Sequence, residues 1–139
     1  MSVDQSLGVA ANALCVIAYC APKPVSATFI AEQISLNPVV VRRTLAKLVT
    51  ANLVKSTQGA HGGYVLARSA TEISLQDVFS ALSEKGIFAR GNSVPKATCG
   101  DGEKISAIIA DEFQKADAAF AASLEGILLA DILKRAESH

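Results

Sequence analysis

Arg42, Arg43 and Lys47 are the residues of this chain whose types and spacing best suit chemistry, and that chemistry is recognition. A guanidinium can donate two parallel N–H bonds to a phosphate or to the major-groove edge of guanine, whereas an ammonium acts as a point charge. The three cations lie in a window from Gln33 to Thr71 that also holds Lys55 and Arg68 and contains no Asp or Glu. From Cys99 to His139 the balance reverses, with eight acidic residues against four basic ones, so the formal net charge of zero averages two unlike regions. The groups of an enzyme are missing: the histidines are His61 and His139, and neither Cys-x-x-Cys nor Gly-x-Ser-x-Gly occurs. His61-Gly62-Gly63 has no strand–Ser–helix element beside it that would make it an oxyanion loop. No catalytic residue and no metal ligand is expected, and His61 reads as a polar residue at a turn.

Cys15, Cys20 and Cys99 are odd in number and widely spread, which argues against a disulfide framework and fits a reducing compartment. Cys15 and Cys20, five apart, would stand roughly 140° apart on a helix and suit small core positions better than a ligand pair. With no long apolar run and no signal-like start, a soluble cytoplasmic protein without a membrane partner is expected.

The elements that must position the cations follow from periodicity. At 139 residues, half of them hydrophobic and few aromatic, the chain suits a single, mainly α domain. Leu7 to Ala21 repeats at helical spacing and meets Pro22 and Pro24. Ser26 can cap a short helix over Ala27–Ile34 with Phe29, Ile30 and Ile34 inward, and Asn37-Pro38 opens a third helix reaching about Ala51. This is a helix-turn-helix pattern. Val41, Leu45, Leu48 and Val49 form the inward stripe of the third helix, which leaves Val39, Val40, Arg43 and Lys47 outward and Arg42 on the flank.

Leu53–Thr57 and Tyr64–Ala67 read as two short strands around the Gly-rich turn 58–63, a wing. Ser74 and Asp77 form a capping box for a helix ending near Gly86. A loop of about 15 residues containing Cys99 precedes a long helix over Glu103–Ser123. Ile105, Ile108, Ile109, Phe113, Ala116, Phe120 and Leu124 line that helix as a stripe with nothing left in the chain to cover it all, which predicts a homodimer interface. Ile127–Arg135 is expected to close against it. The division expected is a DNA-binding domain over 1–84, a loop over 85–102, and a dimerisation helix with tail over 103–139.

The order of helix-turn-helix, Gly59-Ala60-His61-Gly62-Gly63-Tyr64-Val65-Leu66-Ala67 and Ile73-Ser74-Leu75-Gln76-Asp77-Val78 resembles the Rrf2 family of winged-helix regulators, the IscR, NsrR and CymR type. Asn37-Pro38-Val39-Val40-Val41-Arg42-Arg43 is similar to its YwnA-like branch. The resemblance implies a winged helix-turn-helix with a two-stranded wing and a long C-terminal dimerisation helix, and a homodimer whose two third helices read a palindromic operator in double-stranded DNA as a repressor. It implies base reading by Arg42 and Arg43 beside Val39 and Val40, phosphate contacts by Lys47, Lys55 and Asn37, and a wing presenting Gln58, His61 and Gly62. Relatives often carry Arg where Gln58 stands, so this wing offers a narrow minor groove less positive charge.

Cluster-binding relatives have three cysteines in the loop before the long helix; here Cys99 is alone there, so no iron–sulfur cofactor is expected. Near the start of that helix Cys99 is instead a candidate redox sensor. A winged helix serving only protein–protein interaction would share this fold. An acidic or wholly apolar outer face on the third helix would mark that use, and Arg43 with Lys47 favours DNA. Operator sequence, target genes and effector are not written in the residues.

Overall fold

The computed structural model describes residues 3–83, 86–87 and 100–139, with side chains from residue 5. Cys99 and most of the expected loop therefore lie outside the described residues. Among the described residues six α-helices, a 3₁₀ turn and one hairpin follow in the order α1 (Val3–Cys20), α2 (Ala27–Ile34), α3 (Pro38–Thr50), β1 (Val54–Thr57), β2 (Gly63–Leu66), the 3₁₀ turn (Ala70–Glu72), α4 (Leu75–Leu82), α5 (Gly102–Glu125) and α6 (Leu129–Glu137).

Capping chemistry sets the boundaries of the helix-turn-helix. Ser26 accepts from the N–H of Phe29 at the start of α2, and Ser35 ends it in the left-handed conformation at φ 56°. Two residues later Asn37 caps α3 with Pro38 at its first position, where a missing N–H costs nothing. Ala13, Leu14 and Ile17 of α1, Ile30 of α2 and Val41, Leu45 and Leu48 of α3 form the centre of the core, each at most 1% exposed. Phe29 departs from the expected inward orientation: it is 38% exposed, because the inward side of α2 is taken by Ala27, Ile30 and Ala31.

The hairpin is antiparallel, with Val54 opposite Leu66 and Thr57 opposite Gly63. Both strands sit one residue from their expected starts. The capping box forms as expected: the N–H of Asp77 donates to Ser74 Oγ (3.1 Å) and the N–H of Ser74 to Asp77 Oδ2 (2.9 Å).

The C-terminal third corrects two expectations. The stripe on α5 is not one surface: Leu124 is buried and Phe120 meets Phe79 of α4 edge-on (ring centroids 5.3 Å apart), whereas Ile105, Ile108 and Ile109 are 55%, 62% and 41% exposed. Repeated steps of four residues turn the stripe by about 40° each, so its two ends face different directions. The tail does not close on α5. It forms α6, which packs on α1 and the 3₁₀ turn and inserts Leu129, 0% exposed, into the main core. Backbone bonds from Leu75 N–H to Ile127 carbonyl (2.8 Å) and from Leu129 N–H to Ile73 carbonyl (2.9 Å) fix that return.

Candidate nucleic-acid interface

The outer row of α3 is built by the i, i+4 relation. Val39, Arg43 and Lys47 succeed one another at that spacing and all are exposed, Val39 to 56%. The opposite face is anchored by Val41, Thr44, Leu45 and Leu48, with the Thr44 hydroxyl donating to the Val40 carbonyl (3.1 Å). Val40 differs from expectation: it is half-buried and lines a cleft with Leu36 and Val9, because one 100° step from Val39 carries it towards α1.

Arg42 is exposed on the flank, and its guanidinium donates to Thr28 Oγ1 of α2 at 3.4 Å. Thr28 was not singled out by the sequence; the only local sign of it is its place in the first turn of α2, two residues after the Ser26 cap. Asn37 Oδ1 accepts from the Val39 N–H (2.8 Å), so its capping role is filled while its side-chain amide stays exposed at the positive end of α3. Lys47 borders a cleft of about 400 Å³ with Thr50 and, from α4, Ser80.

The wing is positioned by close backbone approaches. The Tyr64 N–H donates to the Val25 carbonyl (2.8 Å) and the Val25 N–H to the Tyr64 carbonyl (3.2 Å), which ties β2 to the residue that leads into the Ser26 cap of α2. A Cβ on Gly63, at φ +154°, would run into the Val25 backbone. Thr57 Oγ1 accepts from the Gly63 N–H (3.0 Å) and donates to its carbonyl (3.2 Å), closing the turn.

Gly62 is half-buried, its N–H donates to the Gly59 carbonyl (3.0 Å), and a Cβ there would strike the Thr57 carbonyl. Gln58 and His61 are exposed at the turn and Lys55 is exposed on β1. The structure thus brings α3 and the wing onto one body through Val25.

The charge of the basic window is also resolved. Arg68 pairs with Asp77 at 3.5 Å, so it is partly neutralised. The three ion pairs found among the described residues involve none of Arg42, Arg43, Lys47 or Lys55. Four cations therefore face solvent on α3 and β1 with no carboxylate of the described residues paired to them, an arrangement that suits a polyanion.

A family model described as Rrf2, iron-dependent transcriptional regulator, matches residues 3–135. The Bacillus subtilis (strain 168) protein YwnA, named as an HTH-type transcriptional regulator, is 28% identical over 131 residues, covering 94% of this chain and 96% of YwnA. Among solved structures, T. potens IscR is 28% identical with a TM-score of 0.73, covering 99% of this chain and 90% of that one. CymR of B. subtilis, the global cysteine regulator, is 22% identical with a TM-score of 0.69 over 94% of each chain, a likeness of fold.

The word iron in the family's description finds no matching donor set here. Among the described residues no three His, Cys, Asp or Glu side chains are grouped to hold a metal ion. The sequence supplies a single cysteine to the segment ahead of α5, and Cys15 and Cys20 are half-buried in α1 against the core. A thiolate-held cluster needs several convergent cysteines, and the two described ones, Cys15 and Cys20, do not belong to any group of metal-ligating side chains among the described residues.

Proposed function

Since this chain belongs to the Rrf2 family of transcriptional regulators, we propose that it binds a palindromic operator as a homodimer and represses transcription by occupying it. The observation that carries the reading is the row Val39, Arg43, Lys47 on α3, exposed and in no ion pair among the described residues, beside a wing fixed to the same body through Val25 and Tyr64.

In this reading α3 enters the major groove. Arg43, and Arg42 where it reaches past Thr28, donates to guanine, and Val39 offers the apolar contact that a thymine methyl takes. Lys47, Lys55 and the Asn37 amide meet phosphates, which fix register without reading sequence. Gln58 and His61 lie where the wing would meet the neighbouring minor groove.

The exposed part of α5 supplies the second copy. Two recognition helices related by a two-fold axis then sit one helical turn of DNA apart, about 34 Å, or a multiple of it. Phe113 and Ala116 extend the exposed Ile105, Ile108 and Ile109 towards the end of α5 that stays with its own chain.

Electrophoretic mobility shift on the protein's own promoter region tests this directly. Specific retardation by the wild type that Arg42→Ala/Arg43→Ala abolishes is the expected result. Equal retardation of scrambled DNA would overturn operator recognition, and no retardation at moderate salt would favour a winged helix that binds protein instead.

A further inference from the structure

Two arginines of the basic window are held by different chemistry. Arg68 lies against the carboxylate of Asp77 at 3.5 Å, which offsets part of its charge. Arg42 instead donates from Nη2 to the hydroxyl of Thr28 on α2 at 3.4 Å, and it forms no ion pair among the described residues. Glu32 stands four residues after Thr28, on the same side of α2, and forms none either. Arg42 is thus oriented by a neutral acceptor and keeps its full charge.

Thr28 itself has a fixed mount. It lies in the first turn of α2, which begins at the Ser26 cap, where Ser26 Oγ accepts from the Phe29 N–H (3.0 Å), and which Ala27, Ile30 and Ala31 anchor in the core. Val25, the residue before that cap, is paired with Tyr64 of the wing. A β-branched side chain on a helix has few favoured χ1 rotamers, so the Thr28 hydroxyl points in a restricted set of directions. Arg42 is a long side chain with many rotamers to give up when it binds.

We infer that Thr28 is a positioning residue for base reading: its hydroxyl narrows Arg42 to orientations in which the guanidinium spans α2 and α3 and keeps a two-pronged edge for guanine. The inference rests on the operator reading proposed above and adds the residue that prepares one of its two readers. The bond and the base contact are compatible. Nη2 carries two hydrogens, one beside the Nε–H and one beside the N–H groups of Nη1. Whichever of them Thr28 accepts, the other still forms a parallel pair with its neighbour, and such a pair matches O6 and N7 of guanine.

The consequence is that part of the ordering of Arg42 is completed before DNA arrives, which raises affinity only where the base rewards the prepared orientation. Arg43, one residue on in the outer row of α3, does not share this bond. Loss of the Thr28 hydroxyl therefore acts on one base pair of each half-site and spares the other.

The test uses the full chain and a randomised duplex library. Binding sites are selected with the wild type, Arg42→Ala, Arg43→Ala, Thr28→Val and Thr28→Ser, and preferences are then measured by competition with single-base variants of the selected site. Thr28→Val keeps the branched shape and removes the acceptor. It is expected to lower preference about two- to tenfold at the base pair that Arg42→Ala releases, and to leave the one that Arg43→Ala releases unchanged. Thr28→Ser retains the wild-type preference, and Thr28→Val costs no further selectivity in an Arg42→Ala background. Thr28 is exposed, and equal urea midpoints check that the fold is kept. Uniform weakening on every sequence by Thr28→Val, a loss of selectivity that persists without Arg42, or an Arg42→Ala variant that selects the wild-type motif would overturn the inference and leave operator reading standing. A wild type that selects no motif would overturn both.

Discussion

Salt dependence is the sharpest quantitative consequence of the charge arrangement, because it counts phosphate contacts. Of the cations between Gln33 and Thr71, Arg68 is paired with Asp77, and Arg42 and Arg43 are assigned to bases, which leaves Lys47 and Lys55 for phosphates. A dimer then makes four lysine–phosphate contacts. With log K falling by about 0.9 per contact per decade of salt, the slope is about −3.6, and raising salt fourfold from about 50 to 200 mM lowers affinity about 150-fold. Lys47→Ala halves the contacts, brings the slope to about −1.8 and reduces the loss to about 12-fold. Lys47 is exposed, so the substitution leaves the core untouched. Fluorescence anisotropy of a labelled operator across five salt concentrations measures both slopes. An unchanged slope in Lys47→Ala would refute the phosphate assignment; a wild-type slope twice as steep would mean that the DNA meets a basic surface not identified on α3 and β1.

Arg43→Ala should cost about 1–3 kcal/mol at each half-site, roughly 5- to 150-fold, and relax preference at one base pair only; competition with single-base operator variants would show this, and uniform weakening would count against base reading. Gly63→Ala should destabilise by about 1–3 kcal/mol from backbone strain, and further through collision with Val25, whereas Gly59→Ala, at φ +102° in open space, carries the strain alone; urea midpoints that rank the other way would refute the close-approach argument. Burial raises the Cys15 thiol pKa, so the fold favours its protonated form. That contribution to stability is present below the unfolded thiol's pKa and shrinks as pH rises above it; iodoacetamide at pH 8 should label Cys15 more slowly in the folded chain than in urea, and equal rates would contradict the burial. For Cys99, diamide should release operator from the wild type and not from Cys99→Ser, and release from both would remove the sensor role.

Local chemistry made much of the fold legible. The Ser26 cap and the apolar spacing gave α2 its observed limits, Asn37-Pro38 gave the start of α3, and Ser74 with Asp77 gave the start of α4. What was misread is non-local or cumulative. The α5 stripe reads as one surface in sequence because each step of three or four looks equivalent, yet the steps of four add up to a change of face. Arg42–Thr28 depends on the approach of two helices, and the crowding of Gly62 by Thr57 depends on how the hairpin closes. Tyr64 is visible as part of a Gly-Gly-Tyr signature, but its pairing with Val25, thirty-nine residues away, is a contact that no periodicity encodes. Phe29 fits a helical stripe by spacing, and three smaller neighbours take the inward positions it would need.

The return of α6 has a bearing on how the chain acquires its structure. Leu129 fills the same core as Ala10, Leu14 and Ile17, residues more than a hundred positions earlier, and Leu128 bridges Ser74. On a ribosome the first four helices and the hairpin emerge before the α6 residues that complete this core. Such a wide sequence separation slows the final closure of the core. A fragment ending after α4 would lack Leu129 and leave that core unfinished.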